Sequence, residues 1–273
     1  MKTLYISDLD GTLLNGRAEL SDYTVDVLKR LIASGVSFSI ATARSPATTL
    51  RMFEKIALDI PIILMNGVLI YDPFRKEYIK KEVLDSAAAE KIICAAHEAE
   101  QAALMYTLSG EEMFTYHERV DNEALCEFIS ERNTKYNKVF AQVDDFSNVS
   151  DDIIYFCFLD KQENIERIHS LIAGIDGIKV EKYRDIYSEE LWYLEVFKYT
   201  ASKYNAVEFL REYGGYEEII GFGDNLNDIP LFHACDKCYA VANAKDELKE
   251  AATAVIGYNS DDGVAKWLAE ELV

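Results

Sequence analysis

The sequence is short of positive charge, of cysteine and of long apolar runs, and each shortage removes a class of function. Twenty-eight Lys and Arg stand against 48 Asp and Glu over 273 residues, a formal charge of −20. Nucleic acids and anionic membranes are bound by clustered cations that neutralise phosphates, so neither is an expected partner. No stretch approaches the roughly 20 apolar residues of a membrane-spanning helix. The N-terminus offers only Leu4-Tyr5-Ile6 before an acid, too short for the apolar part of a secretion signal, and the expectation is a soluble cytoplasmic protein. Five cysteines, Cys94, Cys126, Cys157, Cys235 and Cys238, are sparse and odd in number, which suits free thiols in a reducing compartment. Cys235-Asp236-Lys237-Cys238 is a lone CxxC without a second pair and reads as incidental. His97, His117, His169 and His233 show no paired ligand spacing, which argues against zinc. No GxxxxGK[ST] loop or GxGxxG turn follows a strand, so neither a P-loop ATPase nor a Rossmann dehydrogenase is supported.

What is present is organised around Thr3-Leu4-Tyr5-Ile6-Ser7-Asp8-Leu9-Asp10-Gly11-Thr12. The short apolar run predicts a buried strand, and it ends in two aspartates one residue apart followed by a glycine turn. Two carboxylates at a strand's end repel and raise each other's pKa, so the pattern implies a nearby cation, and a hard divalent ion is the natural partner. An apolar fraction of 49% is enough for a sizeable core. The acidic net charge does not forbid a small phosphate ester, because a local cation overrides the global field within a few ångströms.

Along the chain, Ser21 is a candidate N-cap for a helix over 22–34, and Val36 to Ala41 predicts a strand finishing at Thr42-Ala43-Arg44-Ser45. Pro46 suits the first turn of a helix running to about Ala57, whose N-terminus would offer free N–H groups to an anion beside Thr42. Pro61 to Met65 predicts a third buried strand. A hairpin then turns at Asp72-Pro73, and an α+β insertion with its own helices and strands follows over 83–186. Leu191 to Phe197 reads as the strand with which the βα alternation resumes. A helix over 202–213 carries Lys203 in its first turn, and Glu218 to Phe222 runs into Gly223-Asp224-Asn225-Leu226-Asn227-Asp228. Strands alternating with helices predict a parallel sheet, and ligands of such sheets sit at the carboxyl ends of the strands. Asp8, Asp10, Thr42 and the Asp224 loop all fall at such ends.

Asp8-Leu9-Asp10-Gly11-Thr12 resembles the first motif of the haloacid dehalogenase (HAD) superfamily of phosphotransferases; Thr42, Lys203 and Gly223-Asp224-x-x-Asn227-Asp228 match its second, third and fourth. The position of the insertion, after the second motif and before Lys203, makes the chain similar to the Cof-type hydrolases. The resemblance implies a Rossmann-like parallel α/β core with an inserted α+β cap: residues 1–82 and 187–273 as the catalytic core and 83–186 as the cap that sets substrate specificity. It implies Asp8 as nucleophile, Asp10 as acid and base, and Mg2+ held by Asp8, Asp224 and the Asp10 carbonyl, with Asp228 orienting metal-bound water or Lys203. Phosphate oxygens would be held by Lys203, the hydroxyl and N–H groups of Thr42 and Ala43, the Asn227 amide and the N–H of Leu9. Two positions depart from the family's pattern: Ala43 where glycine is common, and Tyr204 after the lysine where glycine is common. The implied activity is magnesium-dependent hydrolysis of small phosphorylated metabolites, sugar or cofactor phosphates, through an aspartyl-phosphate. A phosphosugar mutase and a non-catalytic, metal-dependent phospho-ligand sensor remain alternatives. The oligomeric state cannot be read from the chain.

Overall fold

The computed structural model describes residues 1–272 apart from Ile186, Tyr187 and Glu189. The chain forms β1 (Thr3–Ser7), α1 (Asp22–Ala33), β2 (Ser37–Ile40), α2 (Pro46–Met52), β3 (Ile62–Leu64), β4 (Leu69–Asp72) and β5 (Glu77–Lys81). Then come α3 (Ser86–Glu98), β6 (Leu104–Ser109), β7 (Glu112–His117), α4 (Glu123–Tyr136), β8 (Ala141–Gln142), β9 (Asp152–Lys161), α5 (Gln162–Ile172), β10 (Ile178–Arg184) and β11 (Leu191–Lys198). It finishes with α6 (Lys203–Gly214), β12 (Glu218–Gly223), α7 (Ile229–Ala234), β13 (Lys237–Ala240), α8 (Asp246–Ala251), β14 (Ala254–Val255) and α9 (Gly263–Leu272). These elements gather into two units, Met1–Lys80 with Ser202–Val273, and Lys81–Ala201.

In the first unit β14, β13, β12, β1 and β2 lie side by side in that order, every neighbouring pair parallel. Parallel strands cannot be joined by tight turns, which is why helices separate them in sequence. Leu4 and Ile6 in β1, Ile40 in β2, and Ile219 and Phe222 in β12 are fully buried, and each such side chain contributes about 1.5–3 kcal/mol of transfer free energy. α1 starts where expected: the Ser21 hydroxyl accepts the Thr24 N–H at 3.0 Å, and Val27, Leu28 and Leu31 face inward. The chain leaves β1 for β2 on one side and returns to β12 on the other. Strand order therefore reverses at β1, and its carboxyl end opens the crevice where such sheets bind ligands.

The predicted third strand touches the parallel sheet through a bridge from Ala41 to Ile63, but β3 pairs antiparallel with β4, which lies beside β5 in a small separate sheet. The helix from Pro46 stops at Met52 instead of Ala57, because the chain tightens into turns that bury Phe53, Ile56 and Leu58.

The second unit is a six-stranded sheet in the order β10-β11-β9-β6-β7-β8, antiparallel except where β7 meets β8. Ile92 and Ile93 of α3 and Ile165, Ile168 and Ile172 of α5 form one apolar cluster with Met105, Phe156, Phe158, Leu194 and Val196 from the strands. This sheet claims β11, which pairs antiparallel with both β9 and β10. The assignment of Leu191–Phe197 to the resumed parallel core is therefore overturned: its apolar pattern fits a strand buried in either sheet, and long-range pairing decides. The expected boundary between Ile186 and Tyr187 lies outside the described residues. The units divide instead at Lys80/Lys81 and Ala201/Ser202.

In the turn after β3, Met65, Asn66 and Gly67 all carry positive φ, and a β-carbon at Gly67 would lie 2.3 Å from the Ser202 carbonyl oxygen. At Gly35, φ is also positive but nothing lies within 4 Å. Gly35→Ala should therefore cost about 1 kcal/mol of backbone strain, and Gly67→Ala about 3 kcal/mol or more, because backbone has to move. Denaturant unfolding of the two variants checks this; equal losses would contradict the close approach.

Candidate active site

The site begins where β1 ends. The Asp8 N–H donates to the Phe222 carbonyl at 3.0 Å, and the Ala41 N–H to the Ser7 carbonyl at 2.9 Å, so neighbouring strands fix the backbone on both sides of the turn. Beyond Asp8 the chain enters a tight irregular turn, Leu9–Leu13, in which Gly11 has φ +77°. A β-carbon at Gly11 would lie 2.3 Å from Asp224 Oδ2. Glycine is required here twice over, for the turn and for the carboxylate that closes against it.

Three distant segments meet at Lys203, the first residue of α6, whose helix is capped by the Ser202 hydroxyl accepting the Asn205 N–H at 3.0 Å. Its ammonium donates to Asp8 Oδ1 at 2.7 Å and to Asp228 Oδ1 at 2.6 Å. All three side chains are buried. The second oxygen of Asp228 accepts the N–H groups of Asp224 and Asn225 at 3.0 and 3.1 Å, which folds the loop after β12 back onto the ammonium. Gly223 makes this possible, since a β-carbon there would press within 2.9 Å of Asp228 Oδ2. Asp224 is held from the first segment: the Thr12 hydroxyl donates to its Oδ1 at 3.0 Å.

Electrostatically the cluster is short of positive charge. Burial pushes the Asp8 carboxyl well above the usual carboxylate range, Asp228 adds to the rise, and Lys203 opposes it. Burial and then Asp228 push Asp224 up to about 7. For Lys203, burial alone would lower the pKa, but Asp228 and Asp8 outweigh it and the ammonium is held above its usual value. Oxygens of Asp8, Asp224 and Asp228 lie within 4.8 Å of one another. Three carboxylates, two of them paired with the single Lys203 ammonium, form a hard, all-oxygen donor set deficient in positive charge, and a small divalent cation fits it. Both Asp228 oxygens are already engaged, by Lys203 and by two backbone N–H groups, so Asp8 and Asp224 are the carboxylates of the three that could reach a cation directly.

The other predicted residues are placed less uniformly. The exposed Asp10 carboxylate turns to Arg44, which donates to it from Nε at 2.7 Å and from Nη2 at 2.6 Å. Thr42 is buried, and its hydroxyl accepts the Arg44 N–H at 3.1 Å. Its own N–H donates to the Ile63 carbonyl at 3.0 Å, which corrects the expectation that this group would meet phosphate. Leu9, Ala43 and Asn227 stand outside the hydrogen-bonded cluster, Leu9 fully buried and the other two exposed. Sequence reasoning missed three residues that organise the site. Thr12 closes the Asp8–Thr12 motif, and a hydroxyl two residues past an acid is a natural partner for another acid. Arg44 stands in the run Thr42-Ala43-Arg44-Ser45, which gives it no role by position alone. Asn243, which donates to the Gly11 carbonyl at 2.8 Å, had no local signal because it lies 232 positions away.

A family model for haloacid dehalogenase-like hydrolases matches residues 5–268. The chain is 25% identical over 271 residues to pyridoxal phosphate phosphatase YbhA of Escherichia coli, covering 97% of each. It is 23% identical over 267 residues to 5-amino-6-(5-phospho-D-ribitylamino)uracil phosphatase YitU of Bacillus subtilis, covering 96% of this chain and 95% of that one. A solved haloacid dehalogenase-like hydrolase from Bacteroides thetaiotaomicron shares the fold, with a TM-score of 0.85 at 20% identity over 100% of both chains.

The raised Asp224 carboxyl gives a pH prediction with a defined sign. The unfolded chain releases this proton near the ordinary 3.8 and the folded chain near 7, so the folded state binds more protons between them. Its contribution to stability is intact below the lower value and is lost as pH rises through the window. In chelator, wild type should therefore lose more stability between about pH 4 and 7 than Asp224→Asn does, and added Mg2+ should shrink the difference. Parallel denaturation curves for the two proteins would contradict the buried-charge reading.

Proposed function

The chain belongs to the haloacid dehalogenase-like hydrolase family, and from that premise we propose that it is a magnesium-dependent phosphatase of small phosphorylated metabolites, working through an aspartyl-phosphate on Asp8. The observation that carries this reading is the ammonium of Lys203 lodged between Asp8 and Asp228 beside a second carboxylate, Asp224, at the carboxyl end of β1. A buried nucleophile of this kind is useful only when its charge is balanced and the electrophile is held in line. Asp8, Asp224 and the Asp10 carbonyl would hold Mg2+, which when bound supplies neutralisation of the charge on the phosphoryl oxygens.

The chain's own residues do the rest. An Asp8 oxygen attacks phosphorus and the bond from phosphorus to the ester oxygen breaks, while Asp10 gives its proton to the departing alcohol. Asp10 then takes a proton from the water that attacks the aspartyl-phosphate, releasing inorganic phosphate and restoring Asp8. Lys203, the Thr42 hydroxyl, the N–H groups of Leu9 and Ala43 and the Asn227 amide would bind the phosphoryl oxygens during both steps. The inserted α+β unit selects the leaving group. The names of two relatives describe enzymes acting on a cofactor phosphate and on a ribityl phosphate ester, and we place this protein's substrate in the same broad class of sugar or cofactor phosphates. Among the described residues no helix is long and apolar enough to cross a membrane. The five cysteines are free thiols, which supports a cytoplasmic setting.

Phosphate release from a panel including hexose phosphates, ribose 5-phosphate, pyridoxal 5′-phosphate and flavin-precursor phosphates tests the reading. Turnover should need Mg2+ and disappear in chelator. Asp8→Asn should lower it on the order of 10³-fold or more while leaving circular dichroism and the unfolding transition of a folded protein. Substantial turnover by that variant, or activity indifferent to chelation, would overturn the assignment.

A further inference from the structure

The Asp10 carboxylate is grasped from outside the motif that carries it. Arg44 places Nε on one Asp10 oxygen at 2.7 Å and Nη2 on the other at 2.6 Å, a two-point fork that fixes both position and plane. Of the two side chains the arginine is the restrained one: Arg44 is 17% exposed and Asp10 is 49% exposed. Arg44 is anchored through its backbone, the N–H donating to Thr42 Oγ1 at 3.1 Å and the carbonyl accepting the Met65 N–H at 3.1 Å. Its Nη1 meets Met52 Sδ at 3.7 Å. On the other side the backbone after Asp10 is pinned by Asn243, whose amide donates to the Gly11 carbonyl at 2.8 Å and whose Oδ1 accepts the Asn259 N–H at 3.1 Å. A half-exposed aspartate on a turn would otherwise sample several rotamers, and proton transfer needs one of them.

We propose that Arg44 is a positioning residue for proton transfer: its two-point ion pair fixes the rotamer and plane of the Asp10 carboxylate, the base form, one point of the fork opening when that oxygen carries the proton for the leaving alcohol, and Arg44 does not itself serve as a phosphate ligand. The proposal rests on the reading of Asp10 as acid and base. Lysine cannot reproduce the fork, so Arg44→Lys retains charge without the plane.

Phenyl phosphate and p-nitrophenyl phosphate separate this role from phosphate binding. They present the same phosphoryl group and nearly the same shape, but p-nitrophenolate departs without a proton and phenolate departs poorly without one. Because kcat/KM reports the steps through formation of the covalent intermediate, the ratio of the two values measures the need for an acid. Taken within one variant, that ratio is independent of the folded fraction. Arg44→Gln should lower kcat/KM for phenyl phosphate by about tenfold more than for p-nitrophenyl phosphate, with Arg44→Lys in between. Asp10→Asn should show the same skew, and adding Arg44→Gln to it should add none. Equal losses on both esters in Arg44→Gln, with the skew preserved in Asp10→Asn, would overturn the role given to Arg44 and leave Asp10 as the acid. No skew in Asp10→Asn would remove the acid assignment and this proposal together.

Discussion

The ammonium of Lys203 held between Asp8 and Asp228 is the contact on which the site depends. Removing either carboxylate from water is costly, and one cation between them offsets part of that cost only because Asp228 has its remaining oxygen filled by two backbone N–H groups. The ion pair also joins the termini of elements far apart in sequence: the end of β1, the start of α6 and the loop after β12. The parallel sheet brings these ends together, and the ammonium holds them at hydrogen-bonding distance. What it leaves is a site in which Asp8 and Asp224 are under-neutralised, and that residual negative charge gives a divalent cation and a phosphate ester a reason to bind together.

Much of this arrangement was legible in the sequence because it is local. Asp8 and Asp10 end an apolar run, Asp224 follows another, and Ser202 announces the helix that presents Lys203. Period, capping and turn chemistry within ten residues are enough to place each of them at a strand or helix end. What could not be read depends on partners far along the chain. The N–H of Thr42 looked free beside a helix start, yet Ile63 takes it. Leu191–Phe197 has the composition of a buried parallel strand, and only its pairing with β9 and β10 assigns it to the inserted sheet. Asn243 is one asparagine among many until Gly11 is seen beneath it. Arg44 is one cation after a predicted strand until its fork on Asp10 is seen.

The inserted unit follows a different logic from the rest. Its antiparallel sheet carries helices α3 and α5 over one apolar face and is built almost wholly from pairings within its own stretch of chain. Such a unit can change its side chains without disturbing the charge balance at Asp8.

The account centres on Asp8 carrying the phosphoryl group. Rapid acid quenching of the enzyme during turnover of p-nitrophenyl phosphate with Mg2+, followed by proteolysis and peptide mass mapping, tests this most directly. A phosphoryl adduct on the peptide containing Asp8, labile to hydroxylamine as an acyl phosphate must be, is the predicted result. An adduct that maps to another residue, or its absence in a protein shown to be turning over, would contradict the account.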